Sequence, residues 1–310
     1  MKKALSYVIL LSMHMSLHTY IYNAIVMRKW QADLNRFHYF IGLGDFHNKQ
    51  HPANKVHLHE LQQLLAYAQK DSLRILTEDL SVSNDIGRKG VKGFSINSRG
   101  GLLGGLTDMC RDMGIDVLNL EYRYARVCAL GPVLNNLKDD PFSFDSSRKL
   151  LIGDLVEEVY SEIDRMHAYN DDPILGAWYV QCIKDVEKKI SLYDWPNYYH
   201  QSVAEYVKQK SKSVISLMQK LLTFDAALLD VKIVHEVVQQ PHIEHICAIA
   251  GGSHIDRASK MLKKVGYTSV WHAGYDGSNV AAIDAGPDAH KSEYGIKPAP
   301  ISLHVLKKFF

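Results

Sequence analysis

Apolar positions recur along this chain with two different periods, and the switch between them divides it into three stretches. Thr19 to Val26 is β-prone, and after a polar interval Phe37-His-Tyr-Phe-Ile-Gly-Leu43 forms a second apolar run of strand length. Together they predict an edge hairpin leading into the core. Beyond Pro52 the period changes: from about Asn54, Leu58, Leu61, Leu65 and Ala68 fall at helical spacing and make one apolar face. Leu73-Arg-Ile-Leu-Thr-Glu78 reads as a short strand, followed by a Gly- and Ser-rich segment to Gly105 with the character of a substrate-facing loop. A helix over Leu106 to Met113 and a strand over Ile115 to Glu121 complete the first stretch.

From about 146 to 240 the pattern is amphipathic helix only, broken near Asp171-Asp-Pro173 and Asp194-Trp-Pro196, which predicts an inserted helical cap. Strand character returns in Ile246-Cys-Ala-Ile-Ala250, with a helix over Ile255 to Lys264 and a last strand over Tyr267 to Trp271. Beyond about Gly277, Gly, Pro and Asp predict loop and a short tail. Strands alternating with helices need crossover connections, so the prediction is an α/β fold: a mostly parallel central sheet, flanking helices and the inserted cap, in one domain over 20–310.

Composition narrows the class. The 310 residues include 46% hydrophobic and 23% charged side chains, ordinary values for a folded globule and unlike those of a disordered or polytopic membrane chain. The 36 basic and 34 acidic residues form no basic stripe, so no nucleic-acid partner is expected. Met1-Lys-Lys followed by an apolar run to Met13 has the shape of a signal peptide over 1–19 and is too short to span a bilayer. The chain is therefore expected to be secreted or periplasmic if that segment is a signal, and cytoplasmic otherwise. No other transmembrane span is expected. Cys110, Cys128, Cys182 and Cys247 form no CxxC pair, which leaves one or two disulfides open, and Cys247 in its apolar run reads as a buried inert thiol.

One form occurs twice: an apolar strand ending in Gly-x-x-His, at Gly44-Asp-Phe-His47 and at Gly251-Gly-Ser-His254. Another strand ends between them in Glu78. Ligands of open parallel sheets bind outside the carboxyl ends of the strands, so His47, Glu78 and His254 are predicted to converge. Two imidazoles and a carboxylate are a common divalent-metal set. Glycine before each histidine would allow a sharp turn and a close approach of backbone to ligand. Asp45 is a candidate orienter, ligand or base, while Glu121, with Arg123 as an anion clamp, forms a second tier. His51, His57 and His59 follow the first motif, either lining the same pocket or standing as solvated residues at a helix start. Other chemistry lacks its signature. His235-Glu236 has no zincin partner because residue 239 is Gln, no phosphate loop or Gly-x-Ser-x-Gly elbow occurs, and the glycines of 100–105 do not follow a strand.

Gly44-Asp-Phe-His47, Ile75-Leu-Thr-Glu78 and Ala248-Ile-Ala-Gly-Gly-Ser-His254, with the following helix and Val265-Gly-Tyr267, resemble in order and context the Tiki/TraB/GumN proteins. The same elements are similar to their relatives, the ChaN-like haem-binding proteins and the erythromycin esterases. The resemblance spans about half the chain and implies a metal-dependent peptidase or esterase. His47, His254 and Glu78 would hold manganese, cobalt or zinc, and Glu78, His47 and Asp45 would carry catalysis on a peptide or small-molecule substrate. Asp45 departs from the Thr usual in TraB and Tiki members and is closer to the Gly-Glu-x-His of the other branches; His59-Glu-Leu-Gln62 also resembles the ChaN-like helix. Those branches imply haem or small-ligand binding without catalysis, or metal-free hydrolysis with His47 as base.

Overall fold

The computed structural model describes residues 18–49, 52–68, 70–78, 102–121, 151–173, 175–191, 197–208, 226–274 and 302–310. Within them lies one six-stranded sheet. Its strands are β1 (His18–Gln31), β2 (Arg36–Lys49), β3 (Leu73–Thr77), β4 (Asp116–Asn119), β5 (His245–Gly251) and β6 (Thr268–Gly274). They lie in the order β4-β3-β5-β2-β1-β6. β4, β3, β5 and β2 are parallel neighbours, β1 is antiparallel to β2, and β6 is antiparallel to β1. The sheet is thus mixed and mostly parallel, with flanking helices, as the alternation of strands and helices requires.

The predicted hairpin is present but is not the edge. β6 pairs with β1 from Asn23↔Gly274 to Arg28↔Thr268, so β1 is an interior strand. Its residues show why: Ile21 and Asn23 to Met27 are all buried, a pattern that only a strand covered on both faces sustains. β6, the true edge, has mostly exposed or half-exposed side chains.

Helices cover both faces. α1 (Pro52–Leu65) and α2 (Leu102–Asp112) lie on one; α3 (Ile152–Met166), α4 (Gly176–Ser191), α5 (Val203–Lys208), α6 (Ala226–Gln239) and α7 (Gly252–Lys264) gather on the other. The pleat of β5 divides its apolar run between two cores: Ile246, Ala248 and Ala250 face the α3–α7 side, while Cys247 and Ile249 face α1 and α2. Leu228, Leu229 and Val234 of α6 belong to the same core as the sheet residues Leu76 and Ile246. The helical stretch therefore packs on the sheet rather than standing over it as a separate lid. Leu61, Leu64 and Leu65 of α1 share a core with Leu306 of the C-terminal 3-10 turn (His304–Phe309) and with Leu303, its N-cap, so the tail completes the second core.

No helix among the described residues is long and apolar enough to cross a membrane. Residues 1–17, with most of the predicted signal, lie outside the described residues, whereas His18 and Thr19 already belong to β1. The Gly- and Ser-rich segment over 79–101, Arg123, Cys128, His51 and residues 275–301 also lie outside them.

Candidate functional site

Parallel pairing brings the predicted strand ends to one edge. Asp45 of β2 lies opposite Gly251 of β5, the Glu78 N–H donates to the Ile249 carbonyl at 3.1 Å, and the Leu120 N–H donates to the Thr77 carbonyl at 2.8 Å. Asp45, the start of α7, Glu78 and Glu121 therefore succeed one another along the carboxyl ends of β2, β5, β3 and β4. Asp45, Glu78, Glu121 and His254 are each less than a tenth exposed. The backbone of His47 continues β2 past Asp45, and its side chain lies outside the described residues.

Glu78 follows Leu76 in the pleat and borders an apolar recess with Leu120, Leu229, Ile233, Ala248 and Ala250. Its Oε2 accepts the Gly251 N–H at 2.7 Å, at the N-cap of α7. A carboxylate there is favoured by the unpaired amides and dipole of the helix end. Oε1 remains directed to His254, whose Nε2 stands 3.8 Å away. One side chain thus caps α7 and faces His254.

His254 is held from behind. Asp230 of α6, itself buried, places Oδ1 2.6 Å from His254 Nδ1. Arg257, one turn further along α7, donates from Nε to Asp230 Oδ2 at 2.5 Å, and its Nη2 lies 3.2 Å from His254 Nδ1. A carboxylate paired with guanidinium only accepts, so Nδ1 carries the proton, donates to Asp230 and directs Nε2 to Glu78. The result is a line of buried Asp230, His254 and Glu78 that ends in the half-buried Arg257. Asp230, Arg257 and Tyr22 were not among the residues predicted. The sequence signal for Asp230 is its position as the one acid in Ala226-Ala-Leu-Leu-Asp-Val-Lys-Ile-Val234, where an apolar helical run tolerates a charge only if it is paired.

The glycines act through close packing rather than a left-handed turn. Gly44 and Gly251 are not among the positive-φ residues. A Cβ on Gly44 would stand 3.0 Å from the Gly252 Cα, and a Cβ on Gly252 would stand 1.9 Å from the Tyr22 hydroxyl oxygen. Absent side chains let β2, β1 and the α7 N-terminus meet at the site.

Other candidates fall elsewhere. His57 is buried, and its Nδ1 accepts the Ile21 N–H at 3.0 Å, which ties α1 to β1; His59 is exposed, with Gln63 at 2.9 Å. Glu121 takes its backbone N–H to Asn119 Oδ1 at 3.0 Å, which turns the chain after β4. Cys110 and Cys247 are free thiols. Burial pushes the Cys110 thiol up to about 12 and raises that of Cys247 as well, so neither supplies a thiolate nucleophile. Among the described residues, no three His, Cys, Asp or Glu side chains form a group that could hold a metal ion by themselves. No family model, curated protein or solved structure matches the chain.

Proposed function

We propose that the carboxyl edge of the sheet is the active site of a metal-dependent hydrolase of peptide or ester bonds, with His254, Glu78 and His47 as metal ligands. The observation that carries this reading is the line Asp230–His254–Glu78, with Nδ1 backed by a carboxylate at 2.6 Å and Nε2 facing a second carboxylate at 3.8 Å. Metal-binding histidines usually donate their other N–H to a carboxylate in this way. Two ligands sharing a tetrahedral ion stand about 3.4 Å apart at ordinary bond lengths, so the His254–Glu78 pair fits two positions of such a site. His47 on β2, next along the same edge, is the remaining donor in this reading.

A bound manganese, cobalt or zinc ion would supply Lewis acidity and lower the pKa of a water. The chain's residues do the rest. Asp230 fixes the tautomer and aim of His254, and Arg257 holds the Asp230 carboxylate in place. The Gly251 amide holds one oxygen of Glu78, and the other, facing His254, would serve as ligand or as acceptor of the nucleophile's proton. Asp45, opposite Gly251, is a further oxygen donor at the end of β2.

A panel of peptide and ester substrates, run with and without chelator on the parent chain and on Glu78→Gln, tests the reading. Metal-restored hydrolysis that Glu78→Gln abolishes supports it. The Asp230–His254 pair also suits a histidine base working without metal, and hydrolysis that persists in chelator would favour that second reading.

A further inference from the structure

The opposite end of the molecule has a different chemistry. β1 and β2 continue past their neighbours: β6 leaves β1 at Arg28 and β5 joins β2 only at Tyr39, so the rungs Trp30↔Phe37 and Gln31↔Arg36 extend beyond the sheet. At the tip of this hairpin Trp30 is 49% and Leu34 44% exposed. Exposed apolar side chains concentrated on a projecting hairpin are disfavoured in water and mark a contact surface.

Rings and cations surround the tip. Trp30 meets Phe37 edge-on with centroids 5.0 Å apart, and contacts continue through Tyr39 and His245 to Phe310. Arg28 lies 4.2 Å over Phe37, and Lys307 4.7 Å over the exposed Tyr67. Lys263 and Lys264 close α7 at this end, just before β6, and Lys29 packs beside Gly266. Against these cations stand Asp33, Asp71 and Asp112, while Arg36 pairs with Glu244 at 3.9 Å and Arg74 with Asp116 at 2.6 Å. Among the described residues, cations outnumber acids around the hairpin tip, whereas Asp45, Glu78, Glu121 and Asp230 lie buried at the carboxyl ends of the parallel strands.

We propose that this hairpin docks the protein on an anionic phospholipid surface, with Trp30 and Leu34 entering the headgroup boundary and the surrounding cations facing lipid phosphates. Exposed aromatic and aliphatic side chains ringed by Lys and Arg are the chemistry of peripheral membrane contact. A single-stranded nucleic acid fits less well: the Tyr39 and His245 faces stack on one another and Arg28 covers Phe37, so few ring faces remain for bases, and Leu34 offers none. Docking by the amino end turns the carboxyl-edge site away from the lipid.

The test is co-sedimentation of the full chain with vesicles of phosphatidylcholine alone or mixed with phosphatidylglycerol, at low and high salt. The parent chain is expected to sediment with the anionic vesicles and to be released by salt. The double substitution Trp30→Ser and Leu34→Ser should weaken that partition about tenfold or more with an unchanged unfolding temperature, and Lys29→Glu with Lys263→Glu should weaken it too. Failure to bind anionic vesicles, binding indifferent to the hairpin substitutions, or hairpin-dependent capture of a single-stranded oligonucleotide in place of vesicles would each overturn the proposal.

Discussion

Asp230 and His254, 24 residues apart, meet at 2.6 Å beneath the carboxyl edge of the sheet. Two consecutive crossings of the same face create the contact: α6 leads into β5, and β5 turns directly into α7. The carboxylate is then shared with Arg257 on the same helix as the histidine.

Asp230→Asn tests that arrangement. An amide can present either its oxygen or its nitrogen to Nδ1, so control of the tautomer is lost along with the charge. Divalent-metal affinity is expected to fall about 10- to 100-fold, the usual effect of removing a partner behind a ligand histidine. Metal titration monitored by calorimetry measures it, and unchanged affinity would remove Asp230 from the site.

Gly252→Ala should destabilise the fold by about 1–3 kcal/mol, because the new Cβ would stand 1.9 Å from the Tyr22 hydroxyl. Adding Tyr22→Ala removes the obstacle, so the double variant should recover part of the loss relative to the sum of the single changes. Urea unfolding of the four chains gives the comparison.

Acid should destabilise the protein through His38. Burial, and then the cationic surroundings of His245, Arg36, Lys29 and His242, hold its pKa down at about 4, and its Nδ1 lies 2.6 Å from the Tyr267 hydroxyl. The unfolded chain takes up this proton near the ordinary 6.5, and the folded chain only near 4. The residue's contribution is therefore complete above 6.5 and is lost as pH falls from there to about 4, by roughly 3 kcal/mol. His235 and His245, lowered mainly by burial, act in the same direction. Unfolding free energies at pH 7 and 4.5 should differ less in His38→Gln than in the parent; an equal difference would contradict the assignment.

The C-terminal turn should behave as part of the core. Leu306 is fully buried, and the Leu303 N–H donates to Glu60 Oε2 at 2.8 Å. Leu306→Ala is expected to lower stability by about 2–5 kcal/mol. Glu60→Ala should also destabilise, by about 1–3 kcal/mol, through the amide left without its acceptor.

The sheet was legible because its parallel strands are apolar runs bounded by turns, and Phe37–Leu43, Leu73–Glu78 and Ile246–Ala250 all lie in strands or extend just past them. The predicted edge position of the hairpin was wrong because β6, the antiparallel partner of β1, begins 237 residues after β1 ends, a separation that no local pattern encodes. Glu78 and His254 were legible as strand-end polar residues. Asp230 was not, since its role depends on where α6 lands on the sheet. Tyr22 was hidden for a similar reason, reaching the site only across β2 and the glycine at 252. Leu303 and Leu306 follow a Gly- and Pro-containing segment whose composition pointed to a loose tail.

The most direct test of the proposed metal centre is metal content together with the metal-dependent thermal shift of the purified chain, compared with His254→Ala, Glu78→Gln and His47→Ala. Stabilisation by manganese, cobalt or zinc in the parent, lost in all three variants, is the expected result, since only a ligand of the folded state raises its stability in this way. No bound metal and no shift in the parent would contradict the metal-dependent reading and leave the Asp230–His254 pair to act without an ion.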